Sequence, residues 1–145
     1  MEHQAKKRFG QNFLTDTNLL KKIVDSANIN DKNVLEIGPG LGALTQFLTI
    51  QSKKYLAYEI DYSLMDVLSK YENDKNSFIF KDFMEDDVNK TLASYFKDEE
   101  VHLVGNLPYY ITTPIIFEFL KYPQLQSATI MVQKEVGERM ISSTN

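Results

Sequence analysis

Two features of this chain have the residue types and spacing to hold a nucleoside. The first is Glu36-Ile37-Gly38-Pro39-Gly40-Leu41-Gly42, where an apolar run gives way to a glycine-rich turn. Gly38 and Gly40 open backbone conformations barred to residues with a Cβ and let a ligand approach the main chain closely. Gly42 permits tight packing of a following helix. The second feature is Glu59, which lies 21 positions after Gly38 and ends the next apolar run, with Ile60 grouped beside it. A carboxylate there can accept two hydrogen bonds from a ribose diol. Each feature alone is an ordinary turn or strand-end charge; the pair points to a nucleoside-containing cofactor. The string Gly38-x-Gly40-x-x-Ala43 also fits the relaxed dinucleotide pattern, which keeps a nicotinamide cofactor and oxidoreductase chemistry open. S-adenosyl-L-methionine has no pyrophosphate to cradle, and its sulfonium suits a pocket lined with carboxylates. Glu36 and Asp82 add negative potential and the loop carries no basic group, so the balance leans toward the sulfonium cofactor.

Asp82, in Phe80-Lys81-Asp82-Phe83, can accept from the amino group of a cofactor adenine, with Phe83 packing on the ring. The plainer role for the pair is a capping aspartate beside a core aromatic. Further on stands Asn106-Leu107-Pro108-Tyr109. The exocyclic amine of adenine is a poor nucleophile because its lone pair is delocalised into the ring. An Asn oxygen and a nearby backbone carbonyl can accept its two N–H bonds and favour the tetrahedral geometry that methylation needs. Pro108 stiffens the turn that would aim the Leu107 or Pro108 carbonyl, and Tyr109 offers a face on which a splayed-out base can stack. No general base is required before attack, so alignment carries most of the catalysis. Read apart from its surroundings, the tetrapeptide is also compatible with an ordinary strand-to-loop turn.

These residues must be held by alternating strands and helices. Strands are predicted at Asn33–Ile37, Lys54–Glu59, Ser77–Phe80, Val101–Gly105 and Ala128–Val132. Helices are predicted from an Asp16 cap through Ala27, over Gly42–Ile50, from a Ser63 cap through Tyr71, over Asp86–Phe96, from a Thr113 cap with Pro114 at the first helical position, and over Lys134–Ile141. That order implies right-handed crossovers and an α/β, Rossmann-like, mostly parallel sheet with helices on both faces. Ligands in such folds bind beyond the carboxyl ends of the strands, where the glycine loop, Glu59, Asp82 and Asn106–Tyr109 all fall.

The length of 145 residues fits one domain with a real core. No apolar run approaches the ~20 residues that span a bilayer, and the N-terminus has no secretory pattern. The absence of cysteine excludes disulfides and thiolate metal sites, and His3 and His102 lie far apart, so no metal is expected. The net charge of -4 is awkward for a nucleic-acid binder, but residues 1–22 hold five basic and two acidic residues against 11 and 18 in the remainder. Lys6-Lys7-Arg8 is either a solvated terminus or a phosphate-contacting arm.

Four segments carry a family resemblance: Arg8-Phe9-Gly10-Gln11-Asn12-Phe13-Leu14, Glu36–Thr45, Tyr58-Glu59-Ile60-Asp61 and Gly105–Pro114, with Met131–Val136 as a fifth. The chain resembles the ribosomal RNA adenine dimethyltransferase family, and in particular the branch that dimethylates two adjacent adenines near the 3′ end of small-subunit ribosomal RNA. The sister branch, which modifies large-subunit RNA and gives antibiotic resistance, usually has Ile where Leu107 stands. The resemblance implies a Rossmann-like methyltransferase sheet, S-adenosyl-L-methionine as cofactor, small-subunit ribosomal RNA as substrate, and a cytoplasmic monomer. It implies that Gln11, Asn12 and Leu14 close over the cofactor, with Gly38, Glu59, Asp82 and Asn106 as further contacts. Family members continue into further strands and a helical C-terminal domain, so residues 1–145 are expected to be the N-terminal part of the methyltransferase domain. A late aromatic residue that helps hold the target base in the family has no counterpart here. A non-catalytic RNA-binding module is the remaining alternative.

Overall fold

A computed structural model describes residues 16–134 and 137–144. Its elements in chain order are α1 (Thr17–Ala27), β1 (Asn33–Ile37), α2 (Thr45–Gln51), β2 (Lys54–Glu59), α3 (Met65–Leu68), β3 (Asn76–Phe80), α4 (Val88–Phe96), β4 (Val101–Pro108), α5 (Tyr109–Lys121), β5 (Leu125–Lys134) and β6 (Gly137–Thr144). Short 3-10 turns cover Tyr62–Leu64, Ser69–Tyr71 and Phe83–Glu85. The strands form one sheet in the order β3-β2-β1-β4-β5-β6; all neighbours are parallel except β5 and β6. The chain runs outward from β1 through β2 to β3, then returns to the other side of β1 for β4. That reversal puts the topological switch point between β1 and β4, whose ends part to leave a crevice.

The central strands are buried along nearly their whole length and mostly apolar because both sheet faces are covered. Successive residues serve opposite faces. Leu35, Leu56 and Leu103 join a core closed by Leu92 of α4 and Phe119 of α5. Val34, Tyr55 and Val104 join the other core, closed by Leu20 and Val24 of α1 and Leu48 of α2. As its sequence predicts, α1 begins at an Asp16 cap, whose Oδ1 accepts the Leu19 N–H at 3.0 Å.

The strand bounds predicted for β1 and β2 are those observed, but several other elements differ. The helix expected from Gly42 starts at Thr45, because Gly42 sits at φ 91° in a turn closed by its N–H on the Pro39 carbonyl at 2.9 Å. The helix expected from Ser63 breaks into a 3-10 turn, one α turn and a second 3-10 turn. Its cap is Asp61, which accepts from the Ser63 N–H and hydroxyl. β4 does not stop at Gly105. Residues Asn106–Pro108 stay in register with Met131–Gln133 of β5, so the expected loop is the last turn of a strand. α5 then starts at Tyr109 and carries Pro114 inside it. Burial of Thr112, Ile115 and Phe119 at helical spacing overrides the local Thr-Pro start signal. The helix expected over Lys134–Ile141 is instead β6, paired from Gly137↔Lys134 to Thr144↔Ser127. Its N–H and C=O groups satisfy the edge of β5, which outweighs the helix propensity of Lys, Glu, Arg and Met.

Candidate active site

The glycine loop is shaped by three positive-φ positions, Gly38 at 72°, Gly40 at 59° and Gly42 at 91°. It is tied to β2 at two points. The Gly38 N–H donates to the Tyr58 carbonyl at 2.9 Å, and the Gly40 N–H donates to Glu59 Oε1 at 2.9 Å. Glu59 Oε2 accepts the Asp61 N–H at 3.0 Å. Glu59 is only 5% exposed, yet each of its oxygens accepts one backbone N–H and retains a second lone pair. The loop also touches the end of β4. A Cβ on Gly38 would stand 3.5 Å from Leu107 Cδ2 and 3.9 Å from the Asn106 carbonyl oxygen.

A cleft of about 470 Å³ opens beyond these strand ends. Gly38, Glu59 and Ile60 line it from the loop side, Asp82 and Phe83 from the end of β3, and Asn106 and Leu107 from the end of β4. That volume lies within the range of small-molecule and cofactor sites. Ile60 is 66% exposed and forms part of the rim. Asp82 takes the capping role: its Oδ1 accepts the Met84 N–H at 2.9 Å, starting the 3-10 turn Phe83–Glu85. Phe83 is a wall of the core as well as of the cleft, with its ring held edge-on by Tyr58 and Tyr122 at 5.4 and 6.3 Å between centroids. Leu107 is buried, and its side chain packs against the Gly38 and Gly105 backbone. Pro108 ends β4 and Tyr109 opens α5, which gives both a fixed backbone position beside Asn106. Gln11, Asn12 and Leu14 lie outside the described residues.

Glu36 has a different setting from the one its sequence position suggested. It is buried beneath the loop, where its Oε1 accepts from the Tyr55 hydroxyl at 2.5 Å and the Thr45 hydroxyl at 2.8 Å. Burial pushes its carboxyl up to about 7, against the pull of those two hydrogen bonds and with help from the charge of Glu59. Near neutral pH it therefore carries only part of a negative charge. The negative potential expected from Glu36 is correspondingly reduced, and Glu59 and Asp82 remain as the carboxylates that line the cleft.

Sequence reasoning passed over three further groups at the β3 side of the cleft. Tyr58 and Lys81 line the cleft, and Asp86 joins them from behind. The one local signal was the Lys81–Asp86 spacing, which a strand-and-turn reading treats as surface charge.

The profile of the family described as Ribosomal RNA adenine dimethylase matches residues 2–145 of this chain. The chain belongs to that family. Its relatives in the adenine dimethylase family include the Ribosomal RNA small subunit methyltransferase A of Onion yellows phytoplasma (strain OY-M), 53% identical over all of this chain and 54% of the relative. The protein of the same name from Mycoplasmopsis pulmonis (strain UAB CTIP) is 44% identical, over 98% of this chain and 54% of the relative. The chain thus spans about half the length of these relatives. Among solved structures, the crystal structure of the 23S rRNA methyltransferase ErmE superposes with a TM-score of 0.67 at 29% identity, covering 83% of this chain and 48% of that one. A dimethyladenosine transferase from Plasmodium falciparum gives 0.64 at 28%, covering 82% and 42%. The Rossmann-like methyltransferase sheet expected from the sequence is the fold these neighbours share.

Proposed function

We propose that the protein containing this chain transfers methyl groups from S-adenosyl-L-methionine to the N6 amines of two adjacent adenines near the 3′ end of small-subunit ribosomal RNA. It would act as a monomer in the cytoplasm on the immature small subunit. The observation that carries this reading is the meeting of Asn106 with Gly38, Glu59 and Asp82 around one cleft. Membership in the adenine dimethylase family favours it over the nicotinamide reading of the same glycine loop.

The residues present fit the cofactor. A Cβ on Gly40 would meet only the Gly38 carbonyl oxygen, at 4.0 Å, so the loop leaves room for a close main-chain approach. Glu59 keeps a lone pair on each oxygen for the ribose hydroxyls, and Asp82 keeps Oδ2 for an adenine amine while Oδ1 caps its turn. When bound, the cofactor supplies an electrophilic methyl on a positively charged sulfur. The chain supplies alignment: the Asn106 carboxamide oxygen and the Leu107 or Pro108 carbonyl accept the two N–H bonds of the target amine. Tyr109 stacks the target base. The family resemblance assigns to Gln11, Asn12 and Leu14 the closing over the cofactor.

The decisive experiment is transfer of labelled methyl from S-adenosyl-L-methionine to unmethylated small ribosomal subunits by the full-length protein, followed by mapping of the modified bases. N6,N6-dimethyladenosine at two neighbouring positions is expected. Label on large-subunit RNA alone, or none, overturns the assignment.

A further inference from the structure

Behind the cofactor cleft, one carboxylate gathers three donors from three different elements. Asp86 follows the 3-10 turn Phe83–Glu85 and precedes α4. Its Oδ2 accepts the Tyr58 hydroxyl in a short hydrogen bond and the Thr91 hydroxyl at 2.8 Å, and its Oδ1 accepts Lys81 Nζ at 2.9 Å. Tyr58 belongs to β2 and directly precedes Glu59. Lys81 leaves the end of β3 and directly precedes Asp82. Thr91 stands in the second turn of α4. The Asp86 side chain is 14% exposed and its bonds from Tyr58 and Thr91 are partly buried, whereas Lys81 reaches it from the exposed surface, where water screens the pair. Burial alone would raise its carboxyl, but the bonds from Tyr58, Lys81 and Thr91 outweigh that and hold it at about 2. It is ionised at any working pH.

The placement has a consequence for the cleft. Tyr58 and Lys81 both line it, and Tyr58 holds Phe83 edge-on. Asp86 therefore ties Tyr58, which precedes Glu59 at the end of β2, to Lys81, which precedes Asp82 at the end of β3. It also pairs the Lys81 ammonium on the wall of the cleft, adding to the weaker pull of Glu85.

We propose that Asp86 is a positioning residue for the adenosine half of the cofactor, setting the spacing of Asp82 and Glu59 through Tyr58 and Lys81. The inference rests on the reading of this cleft as an S-adenosyl-L-methionine site. It adds that cofactor affinity is tuned by a carboxylate lying behind the wall.

The test compares full-length parent, Asp86→Ala, Tyr58→Phe and the double variant. Calorimetry with S-adenosylhomocysteine gives affinity, and methyl transfer gives KM and kcat for the cofactor. Asp86→Ala is expected to weaken S-adenosylhomocysteine about tenfold and to raise the cofactor KM in step, with kcat at saturation close to the parent's. Tyr58→Phe keeps the ring and removes one donor, so it should reproduce part of the loss. The double variant should lose less than the two singles combined, because both act through one bond. Parent affinity in Asp86→Ala, or a fall in kcat with KM unchanged, overturns the proposal. If Asp86→Ala fails to fold, Tyr58→Phe alone decides: unchanged affinity and KM overturn it. A parent that does not bind S-adenosylhomocysteine sinks the cofactor reading itself, and is told apart because the variants then have nothing to lose.

Discussion

Glu59 Oε1 accepts the Gly40 N–H at 2.9 Å while Oε2 accepts the Asp61 N–H at 3.0 Å, so one carboxylate joins the glycine loop to the end of β2 before any ligand arrives. The carboxylate proposed to take the ribose is thereby held in place by the loop beside it. Glu59→Gln sets an amide donor against one of those two N–H groups. We expect a loss of about 1–3 kcal/mol in urea-unfolding stability and a 10- to 100-fold weaker S-adenosylhomocysteine complex, roughly, by calorimetry. A variant with parent stability and parent affinity would show that the bridge serves neither purpose.

Asn106 predicts the opposite split. Its side chain is assigned to the target amine as well as to the cofactor rim, so Asn106→Ala should lower methyl transfer at saturating cofactor far more than it lowers cofactor affinity. Methyl transfer to small subunits should fall by about 10²–10³, the usual cost of one preorganised acceptor or donor in a reaction site. Single-turnover transfer with saturating cofactor measures it. Transfer at the parent rate removes Asn106 from the chemistry.

Gly42 tests how the loop is seated. At φ 91° a Cβ is strained, and it would come within 3.0 Å of Tyr71 Cε2. Gly42→Ala should destabilise by about 1–3 kcal/mol. Adding Tyr71→Ala should recover only the steric part, since the backbone strain persists. Urea midpoints of the single and double variants separate the two contributions.

Glu36 gives the fold a pH dependence of definite sign. Its folded carboxyl, at about 7, lies above the ordinary 4.5, so between those values the folded state binds the proton more tightly than the unfolded one. Stability from this group is full below about pH 4.5 and is lost as pH rises through about 7, by an amount on the order of 3 kcal/mol. Asp86 runs the other way: its folded value of about 2 lies below 3.8, so its contribution is present above about pH 4 and fades as pH falls toward 2. Glu36→Gln keeps an oxygen for Tyr55 and Thr45 and cannot titrate. Urea unfolding between pH 4.5 and 8 should give a flatter profile than the parent; an identical slope would assign the dependence elsewhere.

What could be read in advance follows a physical line. β1 and β2 begin at Asn33 and at Lys54, and their short, mostly apolar runs have no competing helical period, so their limits and the cleft residues at their ends were legible. β4 was not, because its extension through Asn106–Pro108 depends on a partner, Met131–Gln133, that lies 25 residues away. β6 depends likewise on the open edge of β5. Asp86 escaped notice for the same reason. Its importance comes from Tyr58, 28 residues earlier, and no local pattern joins a strand tyrosine to an aspartate before a helix.

Because Asn106 and Leu107 are rungs of a ladder shared with Met131 and Val132, the atoms assigned to the target amine are borne by sheet rather than by a loop. Grafted or lengthened loops could not readily retune such a site. On that assignment, altered target choice would have to come through the adjoining strand or from surfaces added around residues whose backbone is fixed in the sheet register.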